Sequence, residues 1–147
     1  MLERLIELME KEQIKMMEIL FRGKRATNGD WVYGDFVRGN ERKSLRDSIF
    51  VYDSETQSFN DYEINPSTLG QYTGLTDKNG KRIFEGDIVK TDKFSEPNKQ
   101  YIIKYDLQFG AFIGQDRYNV YFVTFDGDSG DFEVIGNITD NPELLEK

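Results

Sequence analysis

The chain has 147 residues, enough for one ordinary core and too few for two, and its 19 Lys plus Arg against 27 Asp plus Glu give a formal charge of −8. It holds no cysteine and no histidine, which excludes disulfides, thiolate nucleophiles, Cys/His zinc sites, imidazole bases and histidine pH switches. The acidity argues against a surface that tracks nucleic-acid phosphates, so no direct nucleic-acid binding is expected.

No apolar run approaches the length of a membrane span, so the reading is a soluble protein with no membrane partner. The N-terminal segment carries acidic residues throughout and lacks the apolar stretch of a secretory signal, and the expected location is the cytoplasm.

In chain order, Leu2, Leu5, Ile6 and Met9, then Ile14, Met16, Met17 and Leu20, mostly follow the i, i+3, i+4 spacing of one helical face. Charged residues fill the remainder, with Glu7 and Lys11 as an i, i+4 pair. The spacing predicts an amphipathic helix over residues 1–17, as an extension of a β domain over 18–147. An isolated helix of this length is marginal in water, so its apolar face needs either the β domain or a second subunit.

From residue 18 onward the signals are short strands and turns. Asn28-Gly29 lies between candidate strands 19–26 and 31–37 and predicts a two-residue type I′ hairpin loop. A second hairpin joins 48–53 to 58–64 through the polar turn 54–57. A third joins 71–76 to 81–84 through Asn79-Gly80, and Gly86-Asp87 then bends the chain into the apolar strand 87–90. Residues 91–99 read as a polar loop, followed by strands at 100–106, 109–115, 118–125 and 131–136. The 118–125 strand is apolar on both faces and is expected at the centre of a sheet. Asn141-Pro142 opens a short C-terminal helix. The fold class is therefore mainly β: a small coiled or barrel-like antiparallel sheet built from hairpins, with a helix at each end.

Motifs for chemistry are sparse. Residues 74–81 have two glycines, the second followed by Lys81, but five residues separate the glycines and Arg82 stands where a phosphate loop needs Ser or Thr, so a hairpin turn is expected. Residues 126–131 begin like a calcium loop with Asp126 and Asp128, yet Gly130, Asp131 and Asn137 break the ligand pattern, which leaves an acidic turn and no metal. Glu85 and Asp87 could be imagined as an acid/base pair, but carboxylates flanking a turn glycine have a conformational use. No cofactor is expected.

Charge is uneven along the chain. Residues 22–46 hold seven basic and three acidic residues, a net +4, whereas residues 116–147 hold eight acidic and two basic, a net −6. Arg22, Lys24 and Arg25 are the candidate contact for an anionic ligand or partner, with Trp31 and Tyr33 as neighbouring aromatics able to stack a base. Head-to-tail contacts between subunits are the other use of that asymmetry. Phe36, Tyr52, Phe59, Tyr62, Tyr72 and Phe84 could likewise stack a base, but in a small β domain all these aromatics serve packing first.

The stretch LGQYTGLTDKNGKRIFEGDIV, residues 69–89, resembles the signature of the YopX family of bacteriophage and prophage proteins. Flanking pieces agree: Phe21-Arg22-Gly23-Lys24-Arg25, Trp31-Val32-Tyr33-Gly34-Asp35, Val134-Ile135-Gly136-Asn137-Ile138 and Asn141-Pro142-Glu143-Leu144-Leu145. The resemblance implies a mainly β, coiled or barrel-like body and homo-oligomers, and it carries no catalytic residues. Gly74, Asn79, Gly80, Gly86 and Asp87 within it are what a tight hairpin and a Gly-Asp turn require. Family members begin near the match to residues 17–23, which makes Met16 or Met17 an alternative start. The rival reading is an assembly helix, with Leu2, Leu5, Ile6 and Met9 as its contact face.

Two function classes follow. One is a non-enzymatic, homo-oligomeric binding or adaptor protein of phage origin, acting in the cytoplasm of the bacterial host. The other is a counter-defence protein that inhibits a host bacterial protein or sequesters a nucleotide signal.

Overall fold

The computed structural model describes residues 1–16, 18–91, 99–117, 121–123 and 131–145. Helix α1 (Leu2–Met16) forms where the sequence has no Gly or Pro, and Lys11 Nζ lies 3.1 Å from the Glu7 carboxylate. Every residue from 1 to 11 is exposed, and among the described residues α1 makes no extensive contact with the β body. Among the described residues no helix is long and apolar enough to cross a membrane.

Eleven strands follow: β1 (Phe21–Lys24), β2 (Trp31–Val37), β3 (Ser48–Asp53), β4 (Ser58–Glu63), β5 (Gly70–Thr76), β6 (Arg82–Phe84), β7 (Asp87–Thr91), β8 (Lys99–Asp106), β9 (Ala111–Gln115), β10 (Tyr121–Val123) and β11 (Phe132–Asn137). They form two antiparallel sheets, in the orders β4-β3-β2-β1-β5-β6 and β10-β9-β8-β7-β11. The mainly β reading stands. The barrel-like part of it does not, since the described strands form two open sheets. A hairpin series can close only if its last strand pairs with its first, and here the β6–β7 turn starts a second sheet instead.

Both Asn-Gly turns differ from a type I′ loop in the same way. At the first, Arg25 N–H donates to Asp30 O and Gly29 N–H to Arg25 O, which closes a four-residue loop, residues 26–29. At the second, Asp77 N–H donates to Lys81 O and Gly80 N–H to Asp77 O around a three-residue loop, residues 78–80. Only the glycines take positive φ, 74° at Gly29 and 80° at Gly80, whereas a type I′ turn needs it at both central residues. The 54–57 turn forms as expected, with Gln57 at φ 53°.

Strand β10 lies at an edge, not at the centre; inner places go to β7, β8 and β9. An apolar run shows that both faces are covered, and says nothing of whether both edges are paired. The rest of the expected 118–125 strand, residues 92–98 of the polar loop and residues 126–130 of the calcium-like turn lie outside the described residues. The C-terminal helix is a single 3-10 turn, Pro142–Leu145.

The core lies where β6 meets the second sheet. Ile83 packs with Val89, Tyr101, Ile103 and Phe132, all fully or almost fully buried, and Val134 covers them. Backbone bonds cross this seam: Lys78 N–H to Phe132 O, Gly86 N–H to Ile103 O and Ile138 N–H to Gly86 O. Asp77 fastens it further, accepting from the N–H groups of Asn79, Lys81 and Val134 at 2.8, 2.9 and 3.0 Å. Burial pushes the Asp77 carboxyl up, but those three donors outweigh it and hold it below the usual carboxylate range.

Candidate functional site

Strand alternation sorts the three cations singled out in the sequence. Arg22 and Lys24 project from one face of β1, while Arg25, one residue on, falls to the other. There its guanidinium sits 4.5 Å from the ring of Tyr62. The expected Arg22, Lys24, Arg25 cluster therefore does not converge, because adjacent strand residues cannot share a face.

Lys24 forms an ion pair with Asp140, and the Trp31 indole N–H donates to the same carboxylate at 2.7 Å. These contacts hold the Asp140 carboxyl down at about 2, with the Asn137 amide adding a further hydrogen bond. The basic early segment thus meets the acidic late segment at this point within one chain.

Arg22 is only 6% exposed. Its Nη2 donates to Asp87 Oδ1 at 2.7 Å and to Glu85 O at 3.3 Å, and the guanidinium lies 4.7 Å from the Trp31 ring and 4.8 Å from the Phe84 ring. Asp87 is buried too, and its other oxygen accepts from Phe84 N–H at 2.7 Å. Burial pushes the Asp87 carboxyl up, against the pull of the Arg22 guanidinium and the Phe84 amide. Gly86, at φ 86°, gives the turn the left-handed residue that brings Asp87 back onto Phe84. The imagined Glu85/Asp87 pair is thus divided between two structural contacts, for Glu85 Oε1 accepts from Gln71 N–H at 2.9 Å.

Beside this buried pair lies an open concavity of about 390 Å³, lined by Arg22, Tyr33, Gly80, Lys81, Arg82 and Phe84. Arg22 and Tyr33 are cross-strand partners, and Arg82 and Phe84 are two apart on β6, so the pleat delivers both pairs to one side. Tyr33 and Phe84 meet edge to face at 5.6 Å, and the Arg82 guanidinium lies 5.4 Å from the Tyr72 ring. Of the residues singled out in the sequence, the structure brings Arg22, Tyr33, Gly80 and Phe84 here, and leaves Lys24, Arg25 and Trp31 out of the lining. Lys81 and Arg82 were missed, although both stand in the signature stretch, two adjacent cations being the visible signal. Gly74 and Gly80 have positive φ, with Asn79 between Asp77 and Lys81 in the turn.

A second concavity is apolar and belongs to α1, lined by Met1, Leu2, Arg4, Leu5 and Leu8; Ile6 and Met9 are exposed on the same helix.

The family model described as YopX protein matches residues 20–146. No curated protein matches the chain. Among solved structures, the crystal structure of protein EF1440 from Enterococcus faecalis is 26% identical, with a TM-score of 0.52 over 87% of this chain and 98% of that one.

Proposed function

This chain belongs to the YopX family, and from that premise we propose that it is a non-enzymatic, homo-oligomeric binding protein of phage or prophage origin, assembled through α1 in the bacterial cytoplasm. The apolar side of α1 carries this reading. Leu2, Leu5, Ile6, Leu8 and Met9 are all exposed, and at about 100° per residue they span an arc of about 160°. That arc is wider than the two-stranded seam of strict heptads and suits a bundle in which each helix touches two neighbours. A second copy of the same helix is the natural occupant. The opposite face mixes Glu3, Glu7 and Glu10 with Arg4 and Lys11, so copies meet no block of one charge.

Burial of each of these side chains contributes about 1.5–3 kcal/mol, which is what a marginal 15-residue helix needs to persist. The engagement of Asp77, Glu85 and Asp87 in turn and sheet contacts supports a non-enzymatic role. Phage origin is supported by the signature at residues 69–89.

Sedimentation velocity of the full chain tests the assembly. The wild type is expected to sediment as a closed oligomer, and the Leu5→Glu/Met9→Glu double variant as a folded monomer. A wild type that is monomeric at every concentration, or an oligomer unchanged in the variant, would refute it.

A further inference from the structure

We propose that the concavity between β1, β2 and β6 binds a mononucleotide, its phosphate on Lys81 and Arg82 and its base stacked against Tyr33. Three observations converge on it. The first is charge. Arg22, Lys81 and Arg82 line one small concavity; among the described residues the carboxylates ion-paired with them are Asp87, buried behind Arg22, and Glu18, while Asp77, which accepts from Lys81 N–H, spends its oxygens on backbone amides. Lys81 makes no ion pair among the described residues, and the Nε of the buried Arg22 has no hydrogen-bond partner.

The second is the exchangeable partner of one lining cation, Arg82, whose guanidinium holds the Glu18 carboxylate at the surface. Glu18 Oε1 accepts from Arg82 Nη2 at 2.6 Å, and both side chains are about half exposed. A phosphate offers the same guanidinium more oxygens and more charge, so it can displace Glu18 at the small cost of one surface ion pair. The third is the aromatic wall. Tyr33 is 45% exposed although its ring packs edge to face with Phe84, and an exposed braced ring is a platform on which any base can stack. A concavity of about 390 Å³ lies within the range of small-molecule sites. The chain's net −8 opposes a long polyanion but not a single nucleotide held locally.

Isothermal titration of the full chain tests this with AMP as probe, since stacking does not depend on the base. Adenosine supplies the ring alone and inorganic phosphate the anion alone. AMP is expected to bind at least tenfold more tightly than either. Lys81→Gln, at an exposed turn position, and Tyr33→Ala are each expected to weaken AMP at least fivefold. Glu18→Gln, which removes the competing carboxylate, is expected to tighten it roughly two- to fivefold, an effect that a merely structural Glu18 would not produce. AMP binding no tighter than phosphate or adenosine, or indifferent to Lys81→Gln and Tyr33→Ala, would overturn the proposal. So would a pentadeoxyadenylate that binds tenfold more tightly than AMP, because the site would then follow a strand. None of these outcomes depends on whether α1 assembles the chain.

Discussion

Around β6 the chain buries polar groups and gives each carboxylate a partner, whereas along α1 it leaves apolar side chains in water. Asp77 and Asp87 are both buried, one accepting from three backbone amides and the other from Arg22 and Phe84 N–H. Leu2, Leu5 and Met9 have no comparable surroundings. The difference separates what the family signature encodes from what the chain offers to others. Residues 69–89 contain most of the seam, so their pattern records how two sheets are joined. The surfaces we propose for contact with partners lie beside it, on the arc of α1 and the rim at Lys81 and Arg82.

The largest expected effect breaks the seam at its most buried contact. Asp87→Ala strands the Arg22 guanidinium without its counter-charge and should cost about 3–5 kcal/mol in urea unfolding. Arg22→Met/Asp87→Leu, which removes both charges, should recover most of that loss. Next, Asp77→Ala leaves the Val134, Lys81 and Asn79 amides without their acceptor and should cost about 2–3 kcal/mol by the same measurement. Gly86→Ala forces a side chain into φ 86° and should cost roughly 1–2 kcal/mol.

A weaker test uses acid. The Asp77 and Asp140 carboxyls are both held below their ordinary range, so each stabilises the fold above the usual carboxylate pKa, and each contribution is lost as pH falls through the lowered pKa, about 2 for Asp140. The urea midpoint should therefore decline between about pH 4 and 2, and Asp140→Asn should make that decline shallower. Smallest of all, Leu5→Glu/Met9→Glu should leave the unfolding of the β body within about 0.5 kcal/mol of wild type. A large loss there would mean that α1 belongs to the body, and the comparison would fail.

Much of the fold was legible because it is local. Helix α1 follows from apolar spacing, the 54–57 hairpin from turn chemistry, and the Gly86-Asp87 bend from a glycine that the turn requires. What was not legible depends on pairing between distant strands. Nothing near Arg22 in the chain announces that its partner is Asp87, 65 residues on, or that Lys24 meets Asp140. The edge position of β10 is likewise set by which strands bond, which hydrophobicity does not report. The proposed anion site was half legible. Counting cations along the chain found Arg22 but grouped it with Arg25, and the pleat instead replaced Lys24 and Arg25 by Lys81 and Arg82 from a hairpin far along the chain.

Amide hydrogen exchange of the full chain at several protein concentrations tests most directly the separation of a structural seam from an assembling helix. Protection in residues 5–11 is expected to rise with concentration, while protection in β7 and β8 is high and constant. Exchange in α1 that stays fast at every concentration, or protection that rises equally in α1 and the seam, would contradict it.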